Sequence, residues 1–123
     1  MKEIKTNSAP SAIGPYSQAI VTNNMVFTSG QIPVNPLTGE IPDKVDEQAN
    51  QVFINLKKLL EAAGTSINKV VKTTVFIKKM EDFATINKIY ETYFTEPYPA
   101  RSCVEAARLP KDVLIEVEAI AEI

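Results

Sequence analysis

The chain has 123 residues, enough for one domain that buries a core without disulfides or a structural metal. Hydrophobic residues make up 45% and charged residues 23%, the balance of a globular protein, and a net charge of -2 disfavours a surface built for nucleic acid. With no histidine and one cysteine, Ser-His-Asp and Cys-His catalysis and an internal disulfide are excluded, and a zinc site would need carboxylates alone.

The opening residues "MKEIKTNSAPSAIGPYSQ" hold no long apolar run, so neither a signal peptide nor a membrane span is expected. A lone thiol suits a reducing compartment, and the expected location is the cytoplasm. Pro10, Gly14 and Pro15 make the first 15 residues extended or irregular. Ser17 to Val21 and Met25 to Ser29 read as short strands, and the "TNN" between them as a hairpin turn, because paired asparagines tolerate positive φ. "GQIPVNPLTGEIP" follows as a loop or edge segment.

From Asp46 to Ala63, Ala49, Val52, Phe53, Leu56, Leu59, Leu60 and Ala63 recur at helical spacing. Asp46 is the expected N-cap and Gly64 the residue that ends the helix. "VVKTTVFI", Val70 to Ile77, is a β-branched central strand. A second helix is predicted over 82–94, its apolar face carrying Phe83, Ile86, Tyr90, Tyr93 and Phe94. Strands over 102–107 and 113–123 complete an α+β domain, residues 1–123, with a mixed sheet of about six strands and two helices packed on one face. Two helices leave the other sheet face uncovered, and the apolar residues on both faces of Val70–Ile77 and Val113–Ile123 point to an oligomer.

The residues able to do chemistry are arginine, carboxylates, tyrosine, serine and amides; no metal cluster and no glycine-rich phosphate loop is present in the sequence. In "PARSCVEAARLP", Arg101, Cys103 and Glu105 share one strand face. Arg101 can pair with a surface carboxylate of the chain, or its planar fork can clamp the carboxylate of a ligand as lysine cannot. In "LIEVEAIAE", Glu116, Glu118 and Glu122 share a face, which fits a solvated surface or a glutamate that orients water in a cleft, its pKa raised by partial burial. Asn87 lies on one helical face with Phe83 and Tyr90. Tyr16, Ser29 and Gly30 are turn-like. Cys103 reads as a packing residue rather than a nucleophile.

The stretches "AIGPYSQA", "TSGQIPVNPLTGEIP", "VVKTTVFI", "FATINKIYETYF" and "PARSCVEAARLPKDVLIEVEAIA" together resemble the RidA family, also called YjgF, over about residues 9–121. The resemblance implies a chorismate-mutase-like fold in a homotrimer with clefts between subunits. It also implies hydrolytic deamination of enamines and imines such as 2-aminoacrylate to 2-keto acids and ammonia, with no cofactor and no metal. By motif, Arg101 corresponds to the clamp on the substrate carboxylate and Glu116 to the residue that positions water, with Glu118 as second choice. Tyr16, Ser29, Gly30, Asn87 and the Cys103 main chain correspond to the pocket lining, Tyr16 reaching a neighbouring subunit's cleft. The partner implied is a small imine, enamine or 2-keto acid, with no membrane or nucleic acid. The rival reading is a trimeric 2-keto-acid-binding regulatory protein that uses the same clamp without turnover. A ribonuclease or a chorismate mutase gains less from the sequence, which has no histidine, no basic stripe and one well-placed arginine.

Overall fold

The structure is a computed structural model and describes residues 1–123. Six strands form one sheet in the order β1-β2-β3-β6-β4-β5. They are β1 (Lys2–Ile4), β2 (Ala19–Thr22), β3 (Met25–Thr28), β4 (Val70–Ile77), β5 (Ala100–Glu105) and β6 (Ile115–Glu122). The helices are α1 (Val45–Ala62), between β3 and β4, and α2 (Phe83–Tyr93), between β4 and β5. Every neighbouring pair is antiparallel except β4–β5, which is parallel as its helical connection requires.

The predicted hairpin is a two-residue turn with Asn23 and Asn24 at φ of 50° and 57°. At the end of α1, Gly64 (φ 88°) lets Thr65 N–H donate to the Leu60 carbonyl and Gly64 N–H to the Glu61 carbonyl. The start of α1 corrects the sequence reading. Its N-cap is Lys44, without a side-chain cap bond, and Asp46 sits inside the first turn. Tertiary bonds fix this end instead: Gln48 donates to the Pro42 carbonyl at 2.8 Å and accepts from Leu114 N–H at 2.8 Å.

A second correction concerns the sixth strand. It comes from Lys2–Ile4, within the segment read as extended or irregular, and not from the loop after β3. That loop makes a single bridge, Gln31 to Val117. It is held down by Asn55 of α1, whose amide donates to the carbonyls of Ile32 (3.0 Å) and Val34 (2.9 Å).

Along β6, Ile115, Val117, Ala119 and Ala121 are buried under the helices. They meet Val26, Val75 and Ile77 of the sheet and Val52, Phe53, Leu56, Leu59, Leu60 and Ile86 of the helices in one core. Phe53 sits at its centre, edge-on to Tyr90 (5.6 Å) and Phe94 (5.9 Å). No helix covers the opposite sheet face. Cross-strand neighbours Ile20, Phe27 and Ile120 form one row there, and Glu116, Phe76 and Val104 another. Phe27 is 42% and Val104 44% exposed, so the second face carries the apolar surface that the sequence pattern predicts.

Candidate functional site

Arg101 lies on β5, at the sheet edge, directly opposite Thr73 of β4. Thr73 is fully buried under the helices, so Arg101 projects on the helix side, toward α2. Three α2 residues at helical spacing receive its guanidinium. Asn87 Oδ1 accepts from Nη1 at 2.7 Å, and the rings of Tyr90 and Phe83 lie 4.8 and 5.4 Å from the guanidinium carbon. No carboxylate of the chain lies within 4 Å of Arg101; the ion pairs present are Lys5–Glu3, Lys58–Glu61 and Arg108–Asp112. The alternative in which Arg101 pairs with a surface carboxylate is therefore not what forms. Arg101 and Asn87 line a cavity of about 420 Å³ together with Tyr90, Glu91, Tyr98 and Pro99.

Glu116 lies on the other face. Its cross-strand neighbour is Phe76, on the uncovered side of the sheet. It is half-buried, and its carboxyl is held above the ordinary glutamate range, first by burial and then by the charge of Glu118. Glu118 itself is exposed, beside Thr74. Gly30 explains how Glu116 fits. A Cβ on Gly30 would overlap Glu116 Oε2 and stand 2.8 Å from its Cδ and 3.1 Å from its Cγ. The glutamate carboxylate thus occupies the space that the glycine leaves empty. Gly30 follows a bulge: Phe27 pairs with Ile120, yet Gln31 pairs with Val117, one residue further than a regular ladder allows. Thr28 Oγ1 takes the Ala119 N–H (3.0 Å) at the break.

Ser29 is used structurally, its hydroxyl donating to the Ser17 carbonyl at 2.6 Å and its N–H to the Gln18 carbonyl at 2.9 Å. Tyr16 is half-exposed in the adjoining N-terminal segment, and with Gly30 it lines a second cavity of about 500 Å³. Cys103 is on Arg101's face, half-buried against the core. Burial pushes its thiol above the ordinary range, and the nearby Arg101 charge only partly offsets this. That environment favours the thiol over the nucleophilic thiolate, in keeping with packing.

Within one chain, then, the residues singled out by sequence form two groups. Arg101, Asn87 and Cys103 stand on the helix side at the β5 edge. Glu116 and Gly30 stand on the uncovered face, with Ser29 and Tyr16 near them. Sequence reasoning missed two supports. Gln18 is buried and ties down the N-terminal segment, accepting from Thr6 N–H (2.8 Å) and donating to the carbonyls of Thr6 (3.0 Å) and Pro10 (2.8 Å). Asn55 does the same for the loop after Gly30. A buried amide amid polar loop sequence leaves no periodic trace. Asn55 alone carried a signal, as a polar residue on the apolar face of α1.

The fold and site define a two-helix α+β protein that carries an arginine free of carboxylate partners on one face of its sheet and a half-buried glutamate on the other. The chain belongs to the family described as endoribonuclease L-PSP, whose profile matches residues 6–123, and which takes in the RidA/YjgF proteins. The 2-iminobutanoate/2-iminopropanoate deaminase of Escherichia coli (strain K12) is 59% identical over 123 residues, covering 98% of this chain and 96% of the relative. The crystal structure of RidA from an Antarctic Psychrobacter superposes with a TM-score of 0.97 at 44% identity, covering all of both chains. That of E. coli TdcF with bound serine gives 0.95 at 52% identity, covering 100% of this chain and 99% of the other.

Proposed function

We propose that this protein is an enamine/imine deaminase that hydrolyses 2-iminobutanoate, 2-iminopropanoate and similar intermediates to 2-keto acids and ammonia. Full-length similarity to a deaminase of that specificity supports the reaction. The observation that carries it at the level of residues is the state of Arg101: its guanidinium is held by Asn87, yet no carboxylate of the chain neutralises it. A substrate carboxylate is the natural partner, and a bidentate pair fixes the 2-imino acid in one orientation.

An imine carbon is already electrophilic, so water can add without a protein nucleophile. Glu116, its carboxyl raised above the ordinary glutamate range, takes a proton from the attacking water and returns it to the nitrogen, then carries the hydroxyl proton of the resulting carbinolamine to the departing amine. The C–O bond forms, the C–N bond breaks, and ammonia leaves a 2-keto acid. Enamines such as 2-aminoacrylate enter by protonation at carbon to the imine. Glu118 acts through its charge on Glu116. Tyr16, Ser29, Gly30 and the Cys103 main chain line the pocket.

Arg101 and Glu116 face opposite sides of one sheet, so a single chain does not close this site around a small substrate. Two copies can, if the β5 edge of one meets the uncovered face of another. The apolar rows on that face give such an assembly its driving force, and the homotrimer with clefts between subunits is the arrangement we propose. Each chain contributes one domain, residues 1–123, and the lone thiol suits the cytoplasm. No helix is long and apolar enough to cross a membrane. The "endoribonuclease" of the family description gains little from this chain, which has no histidine and a net charge of -2.

The test is keto-acid and ammonia release from 2-iminopropanoate generated in situ by a dehydratase acting on serine, against a control without the protein. Wild type should accelerate release. Arg101→Ala and Glu116→Ala, both still assembled, should not. Acceleration by neither wild type nor variants, with 2-keto-acid binding intact, would make this a regulatory binding protein instead.

A further inference from the structure

The α2 surface beneath Arg101 is built more carefully than a hydrogen bond to Asn87 requires. Phe83, Asn87 and Tyr90 stand at i, i+4 and i+7, one stripe of the helix, and all three meet the guanidinium. Of the two rings, Tyr90 is nearer, at 4.8 Å, and it is fixed on every side. Its hydroxyl shares a buried 2.8 Å hydrogen bond with Thr73 Oγ1. Its ring stacks on Phe94 at 4.4 Å and meets Phe53 edge-on. Thr73 is also the residue directly across the parallel ladder from Arg101. A closed triangle results: the strand neighbour of Arg101 pins the ring on which the Arg101 side chain rests.

This arrangement solves a problem for any arginine clamp at an exposed edge. A free arginine carries side-chain entropy that binding must overcome. A carboxylate partner would hold it still but would also neutralise it. An aromatic face holds the guanidinium by its quadrupole and leaves the charge and the outer edge of the fork available. We infer that Tyr90 is a positioning residue for the substrate-carboxylate clamp, acting through Arg101 by stacking, with Thr73 as the anchor of its ring. The inference rests on the proposed deaminase reading and deepens it. Tyr90, 5% exposed and tied by its hydroxyl, orders the guanidinium before the ligand arrives.

The experiment compares Tyr90→Phe and Tyr90→Leu with wild type in binding of 2-ketobutyrate by calorimetry and in turnover of the imine. Tyr90→Leu should raise Kd and KM about three- to tenfold while kcat changes less. Tyr90→Phe keeps the ring but loses its anchor to Thr73, so its affinity should fall between those of wild type and Tyr90→Leu. A merely structural role predicts the reverse: losses that follow thermal stability and appear in kcat as much as in KM. Combining Tyr90→Leu with Arg101→Lys separates the two further. Lysine can feel the ring's quadrupole but cannot stack on it as a planar fork, so the tyrosine substitution should have a smaller effect on Kd in that background. Unchanged Kd in a folded Tyr90→Leu protein, or equal losses in both arginine backgrounds, overturns the inference while leaving the deaminase reading standing. A wild type that neither binds the keto acid nor turns over the imine overturns both.

Discussion

Gly30→Ala offers a direct probe of how Glu116 is placed. The added methyl would overlap Oε2 and crowd Cδ and Cγ of Glu116 at 2.8 and 3.1 Å, so the carboxylate must swing away. What moves is the far end of a half-buried, flexible side chain rather than backbone, and Gly30 does not need positive φ. The cost to folding is therefore at the low end for overpacking, about 1 kcal/mol, against a total stability of about 5–15 kcal/mol. The cost to catalysis should be larger. General base catalysis contributes about 10²–10⁴-fold, and a carboxylate displaced by an ångström or more forfeits much of it, so kcat should fall about ten- to a hundredfold. KM should rise much less, because the carboxylate clamp is Arg101, and the nearest atoms the added methyl meets all belong to Glu116. The coupled keto-acid assay measures the rate, and thermal unfolding with 2-ketobutyrate calorimetry checks fold and pocket. A companion variant, Gly30→Ala with Glu116→Asp, shortens the side chain so that its carboxylate withdraws from the added methyl. It should regain stability without regaining rate, since the shorter carboxylate no longer reaches. Full activity in Gly30→Ala would refute the assignment of Glu116's position. So would a loss of rate explained entirely by lost keto-acid binding.

Other consequences concern charge, sulfur and the supports. Because Glu116's folded pKa is raised, its protonated form is the one that folding favours, so stability contributed by this group is present at low pH and lost as pH rises through that pKa. Glu116→Gln should thus be more stable than wild type near neutrality, with the advantage vanishing below the ordinary glutamate value of 4.5, as read by unfolding at several pH values. Glu118→Gln removes the smaller of the two causes and should move the acid limb of the deaminase pH profile to lower pH; an unmoved limb would exclude Glu116 as the titrating base. Cys103→Ala should leave turnover in place, since burial keeps the thiol protonated and no nucleophile is needed; complete loss in a folded variant would contradict this. Gln18→Leu strips the N-terminal segment of its 2.8–3.0 Å bonds to Thr6 and Pro10 and should cost about 1–3 kcal/mol in denaturant unfolding.

The elements with strong local signals were legible from sequence, and those that depend on distant partners were not. α1 announces itself by an apolar stripe and a terminal glycine, and both asparagines of the β2–β3 turn take the positive φ that their pairing predicts. Lys2–Ile4 has no such signal: three residues form a strand only because β2 presents an edge to pair with. The N-terminus of α1 was misread for the same reason, since Gln48 reaching Pro42 and Leu114 outweighs a local cap at Asp46.

The candidate site divides along the same line. Alternation within β6 puts every apolar residue of Ile115–Ala121 except Ile120 on the buried side, so the outward face of Glu116 and Glu118 can be read from the strand itself. The same rule applied to β5 puts Arg101, Cys103 and Glu105 on one face and Val104 and Ala106 on the other, but does not say which face the helices cover. In the fold the Arg101 face looks toward α2, because Thr73, its neighbour across the ladder, is buried on that side. What it meets is the Phe83–Asn87–Tyr90 side of α2, a surface that accepts a guanidinium better than it accepts an aliphatic chain. Val104 is left on the uncovered face, in the same row as Phe76 and Glu116. The arrangement puts an unneutralised cation at the edge of the sheet and an apolar patch beside a half-buried glutamate on its back. In the proposed reaction both halves are needed, and burying the patch of one copy against the edge of the next is the simplest step that would bring them together.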